Sequence, residues 1–141
     1  MEKVVINNSV RQDLFLDYLN FLEAIKTSCK ALHWGIVNVD VQAKRGAHIY
    51  LDELLDIVSN YQDMIAEVSQ GILGNFITPS NIKAKSIQVS NTPHELCQYL
   101  LDNVTLFYSK LNQPSYVGIK SETETFIKDI QKYNYLFNLC P

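Results

Sequence analysis

Residues 48–70 read HIYLDELLDIVSNYQDMIAEVSQ. Leu51, Leu54, Leu55, Val58, Tyr61, Ile65 and Val68 recur at steps of three and four, which gathers apolar side chains on one side of an α-helix. No Pro interrupts the run, and Gly71 and Gly74 follow it as stop signals. The spacing predicts a helix from Ala43 or Ala47 to Gln70. At helical rise such a rod is about 36 Å long.

The same periodicity extends to both sides. Upstream, Leu14, Tyr18, Leu22, Ile25, Cys29 and Leu32 mark a first long helix through Gly35. Ser9 followed by Gln12 is a capping-box pattern and predicts its start. Ile36 to Lys44 reads as a connection in which Val37, Val39 and Val41 alternate with polar residues, a short extended piece without a partner strand. Downstream, residues 72–91 are mixed, and Thr78-Pro79-Ser80 reads as a turn or a short helix start. Thr92, Pro93 and Glu95 stand at the cap, first and third positions of a third helix, with Leu96, Leu100, Val104, Phe107, Tyr108 and Leu111 as its stripe. After the connection Asn112 to Lys120, Ser121 and Glu124 predict the start of a fourth helix carrying Phe126, Ile127, Ile130, Tyr133 and Phe137.

Four helices, with a connection of roughly 20 residues between the second and third, suit an all-α, ferritin-like four-helix bundle with a long central crossover. One domain over residues 1–141 is expected. Composition agrees: of 141 residues 47% are hydrophobic and 19% charged, with five Gly and four Pro, which excludes a disordered or collagen-like chain. Twelve Lys and Arg against fifteen Asp and Glu give a net charge of -3, which argues against a strongly basic nucleic-acid module. The N-terminus MEKVVINNSVRQD lacks an apolar run of signal-peptide length, and no stretch has the length of a membrane span. Cys29, Cys97 and Cys140 are odd in number and form no CxxC pair, which disfavours a thiolate zinc site and fits a reducing compartment. The expected setting is cytoplasmic, without a membrane partner.

The polar residues of the second helix follow their own spacing. His48 and Asp52 are four apart, and so are Asp63 and Glu67, so each pair shares a face and is able to chelate a cation. The two pairs lie on nearly one side of the rod but about 16 Å apart along it, too far for one ion. Antiparallel docking of two copies about an axis near Ile57 and Val58 would set His48 and Asp52 of one chain opposite Asp63 and Glu67 of the other. His33 would add a second imidazole. Imidazole plus carboxylate suits Fe(II), Mn(II) or Zn(II) better than copper, and the carboxylates' charge favours Fe(III) as product. Such pairs also occur on solvated helix faces, so spacing alone leaves ordinary surface charge open. Between Leu32 and Trp34, His33 also reads as a partly buried structural histidine. Trp34 reads as a packing anchor and His94 as structural or exposed.

The segment LHWGIVNVDVQAKRGAHIYLDELLDIVSNYQDMIAE, residues 32–67, resembles the signature of the Dps family, the ferritin-like miniferritins that protect DNA during starvation. The matching residues are His33-Trp34, His48, Asp52, Asp63 and Ala66-Glu67. The resemblance implies a ferroxidase centre with iron, mono- or di-iron, held by His33, His48, Asp52, Asp63 and Glu67 at a dimer interface, with zinc or manganese as alternatives. It further implies a hollow homododecamer built from homodimers, which oxidises Fe(II), preferentially with hydrogen peroxide, and stores ferric mineral. Three features depart from the pattern. The interval from His33 to His48 is about three residues longer than the family's, Val68 replaces an Arg, and the termini are not Lys-rich, with only Lys3 and Arg11 near the start. DNA as a partner is therefore carried over only weakly. The alternative is a ferritin-like structural or DNA-binding assembly protein without significant ferroxidase activity.

Overall fold

A computed structural model describes residues 2–35, 41–83 and 92–140, with side chains from Leu14, Arg45 and Thr92 onward in the three stretches. Four helices make up the bundle: α1 (Glu2–Gly35), α2 (Val41–Leu73), α3 (Pro93–Ser109) and α4 (Val117–Asn138). Short 3-10 turns at Pro79–Asn81 and Pro114–Tyr116 lie in the two later connections. The fold class expected from the sequence is the one observed.

Side-chain contacts fix the direction of each helix. Tyr18 meets Tyr61 and His33 meets His48, so α1 and α2 are antiparallel. Phe15 packs on Phe107 and Phe21 on Tyr99, which makes α3 antiparallel to α1. Tyr50 packs on Phe137 and Tyr61 on Phe126, which makes α4 antiparallel to α2. It follows that α2 and α3 run in the same direction, so the chain between them must travel the length of the bundle. Asn20 pins that crossover partway: its Nδ2 donates to the Asn81 carbonyl at 3.2 Å, and Lys83 N donates to its Oδ1 at 2.6 Å. Asn20 itself is 8% exposed, so these bonds satisfy an otherwise buried amide.

Helix ends follow local chemistry, and several differ from the sequence expectation. α1 passes through Ser9 because residues 2–8 contain neither Gly nor Pro; Ser9 is not a cap. The side chains of Lys3, Ser9, Arg11 and Gln12 lie outside the described residues, as do Ile36, Val37, Val39 and Lys85. Val41 belongs to α2 and not to an extended piece. α2 runs past Gly71 and stops at Gly74, whose φ of +71° is the left-handed conformation glycine adopts freely; Gly74 N donates to the Gln70 carbonyl at 2.8 Å. α3 starts as expected, with Thr92 Oγ1 accepting from Glu95 N. α4 starts four residues before Ser121, because the Pro114 turn feeds directly into Val117. Glu124 does not close a capping box; its carboxylate accepts from the Tyr108 hydroxyl of α3.

One aromatic layer joins all four helices. Phe107 of α3 stacks on Tyr18 of α1, with ring centroids 3.6 Å apart, Tyr18 meets Tyr61 of α2 edge-on, and Tyr61 stacks on Phe126 of α4 at 3.8 Å. Around this layer the apolar stripes are buried, from Leu22 and Ile25 through Leu51, Leu54 and Ile65 to Leu100, Val104 and Ile130. Leu55 and Ile127 are half-buried, and Val68 is exposed. Burial pushes the Cys29 and Cys97 thiols up to about 12, which leaves them protonated and unreactive.

The hydroxyls in the layer form a directed chain. Thr123 Oγ1 donates its one hydrogen to the Ile119 carbonyl at 2.8 Å. It must therefore accept from Tyr61, 2.8 Å away, and Tyr61 in turn accepts from Tyr18 at 2.9 Å. Burial holds both phenols protonated, with pKa values raised above the ordinary tyrosine range. Tyr61→Phe strands the buried Tyr18 hydrogen and is expected to cost about 1–3 kcal/mol. Tyr18→Phe leaves Tyr61 its acceptor and is expected to cost no more than about 1.5 kcal/mol. Urea midpoints at unchanged m measure both, and the reverse ranking would contradict the hydrogen-bond direction.

Beside the layer, Gln62 ties α2 to α1. Its Nε2 donates to the Leu19 carbonyl and to Glu23 Oε1, and its Oε1 accepts from Lys26 Nζ at 2.9 Å. The Gln62 hydrogen bond, with help from the Lys26 charge, lowers the Glu23 pKa. A depressed carboxyl pKa contributes stability that is present above the unfolded value of about 4.3 and lost as pH falls through the folded value. The stability gap between wild type and Glu23→Gln should therefore be open at pH 7 and close as the solution is taken below pH ~4. Denaturation curves at several pH values measure it; a gap that widens on acidification would contradict the linkage.

Candidate metal centre

The described part of the bundle interior offers no ion site. Its buried polar side chains are Asn20, Gln62, Ser69 and Thr123, all without formal charge, and the space between the helices is filled by aromatic rings. Ferritin-like metal sites built inside a single bundle use inward-facing Glu and Glu-x-x-His residues. No carboxylate or imidazole is buried there among the described residues. Among the described residues the candidate donors lie at or near the surface.

On the surface, the register of α1 against α2 assembles three of the five expected ligands. The antiparallel pairing that sets Tyr18 beside Tyr61 and Leu19 beside Gln62 also sets His33 beside His48. The two imidazoles stack with centroids 3.6 Å apart and planes inclined by 27°. His33 Nδ1 lies 3.0 Å from Asp52 Oδ1 and 3.3 Å from the His48 carbonyl oxygen; His48 Nδ1 lies 3.2 Å from the His33 carbonyl oxygen. The His33 carbonyl is one of the last four in α1, which lack a partner within the helix, so His48 caps the end of its neighbour. The longer interval between the two histidines does not separate them. His33 is half-buried, as its flanking residues suggested, while the Asp52 side chain is 61% exposed.

Asp63 and Glu67 stand apart from this group. Both are exposed on α2, one turn from each other. Asp63 is three turns beyond Asp52, displaced by about 20° around the helix and about 16 Å along it. Among the described residues no three His, Cys, Asp or Glu side chains are grouped so as to hold one ion. One chain thus presents two incomplete donor sets, one where the end of α1 meets α2 and one further along α2.

Other candidates fall differently. Trp34 is 76% exposed, so within the chain it is not a packing anchor. His94 is exposed, as expected. Val58, placed near the docking axis, is fully buried in its own core, so the surface at that height is formed by Asp56, Ser59 and Asn60. The clasp between the histidine rings and the opposite carbonyls was missed. Its signal was the short α1–α2 connection, which fixes what faces what once both helix ends are known.

No protein family matches the chain, and neither a curated protein nor a solved structure shows significant similarity to it. Among the described residues no helix is long and apolar enough to cross a membrane.

The His33–Asp52 contact is a half-exposed pair and holds little folding energy. Asp52→Ala is expected to change stability by less than about 1 kcal/mol. Thermal denaturation checks this; a large loss would mean that the pair is part of the scaffold.

Proposed function

We propose that the chain is a Dps-like ferroxidase in which two copies complete the iron site. The observation that carries this reading is the division of donors along α2. His33, His48 and Asp52 gather at one end, Asp63 and Glu67 lie exposed further along, and about 20° of rotation separates the two sets. A two-fold axis perpendicular to α2, at the height of Asp56 and Ser59, brings the first set of one copy to the second set of the other, twice per dimer. The spacing and chemistry of residues 32–67 support the same arrangement.

In that site Fe(II) is the substrate. The imidazoles supply neutral nitrogen donors and the carboxylates supply charge, which favours the ion with the higher positive charge and so draws the reaction toward Fe(III). Two Fe(II) ions surrender one electron each to one hydrogen peroxide, which takes up two protons and leaves as two waters. The redox chemistry belongs to the iron and the peroxide. The protein holds the ion, balances its charge and keeps its neighbours at fixed positions. Storage of the ferric product in a homododecamer is part of this proposal, as is a cytoplasmic setting.

Mixing variants tests the sharing of the site directly. A chain with His33→Ala and His48→Ala, and another with Asp63→Asn and Glu67→Gln, should each lose Fe(II) oxidation by peroxide. Unfolded together and refolded, they form mixed dimers in which one of the two sites has all five wild-type donors, and about one quarter of wild-type activity should return. Mixed dimers without recovered activity, or full activity in either parent, would reject the shared site.

A further inference from the structure

The hydrogen bonds around His33 assign Asp52 a role beyond charge. His33 Nδ1 faces two groups, the Asp52 carboxylate at 3.0 Å and the His48 carbonyl oxygen at 3.3 Å. An ionised carboxylate and a carbonyl only accept hydrogen bonds. The nitrogen between them must carry the hydrogen, and in a neutral imidazole that leaves the lone pair on Nε2. His48 reaches the same tautomer by another route, since its Nδ1 faces the His33 carbonyl at the end of α1.

The two rings therefore differ in what fixes them. His48 is held by a helix-end carbonyl that would otherwise lack a partner. The carbonyl facing His33 belongs to residue 48, inside α2, where its principal partner is the helix's own amide hydrogen. The shorter contact to Asp52 is then the decisive one for His33. We propose that Asp52 is a positioning residue, whose carboxylate holds His33 with hydrogen on Nδ1 and so presents the Nε2 lone pair to Fe(II). This rests on the reading in which His33 binds iron. A carboxylate behind a liganding imidazole fixes its tautomer and orientation and strengthens it as a donor.

The test begins without metal. Protein labelled with nitrogen-15 in its histidines is observed by long-range proton–nitrogen correlation above pH ~8, where an ordinary imidazole is neutral. Both rings are expected as the Nδ1–H form. Asp52→Ala should move His33 toward the Nε2–H form and leave His48 unchanged, an internal control for folding. The same variant should bind Co(II), followed by its visible absorption, about 10–100-fold more weakly than wild type. Asp52→Glu, which keeps a carboxylate, should recover part of both effects. An Nε2–H ring at His33 in the wild type overturns the proposal. So does weaker Co(II) binding in Asp52→Ala with the His33 tautomer unchanged, which would make Asp52 a ligand alone. If the tautomers behave as expected but the wild type binds no Co(II), the iron reading fails and the positioning of His33 by Asp52 stands.

Discussion

The register of α1 against α2 is the constraint on which the rest of the structure depends. Tyr18 and Tyr61 set it at the centre of the bundle, where their hydroxyls and rings leave no room for a slip of one residue. Gln62 confirms it one position along, by bonding the Leu19 carbonyl. A slip would separate a buried hydroxyl and a buried amide from their partners, each at a cost of about 1–3 kcal/mol. Because both helices are continuous, this central choice reaches their far ends, where it brings His33 onto His48 and Asp52. The chemistry at the surface is thus placed by packing in the core.

The same core explains where that chemistry is not. A four-helix bundle can hold an ion between its helices only if carboxylates and imidazoles face inward and satisfy one another. Here the central positions carry Tyr18, Tyr61, Phe107 and Phe126, and the polar atoms they bring form a neutral chain ending on a backbone carbonyl. An uncompensated charge in that layer would be costly. The donors are accordingly confined to the outer face of α2 and the end of α1.

Much of this was legible in residues 48–70 and their neighbours. Helical periodicity identified four helices and most of their core positions, though not Phe15, Leu19, Cys97, Tyr116 or Ile119, because burial on one side imposes a period that the sequence must keep. The Thr92 cap was legible because Pro93 and Glu95 sit where only a helix start needs them. Ser9 and Ser121 show the limit of that reasoning. A cap pattern also arises within a helix, and only the conformation of the preceding residues decides between the two. Trp34 differs from expectation because a large apolar side chain normally packs, whereas here it lies within α1 but off the buried stripe of Leu22, Ile25 and Cys29. Spacing along one helix identified the pairs His48/Asp52 and Asp63/Glu67. It did not show that His33 and Asp52 meet, since that contact crosses between helices and depends on the register.

The two donor sets also differ in how they are held. His33, His48 and Asp52 are tied to one another and to backbone carbonyls, so their geometry exists before any ion arrives. Asp63 and Glu67 are exposed carboxylates one turn apart, and holding two such side chains in one arrangement costs conformational entropy. A preformed imidazole cluster and an adaptable acidic pair suit different tasks. The first gives a fixed direction of approach for the ion. On the proposed function, the second would follow the change in preferred bond lengths as Fe(II) becomes Fe(III). Placing the two sets about 16 Å apart on one rod keeps a single chain from closing around an ion. On the proposed function, that separation makes assembly a precondition of chemistry, and iron is oxidised only where a storage shell has begun to form.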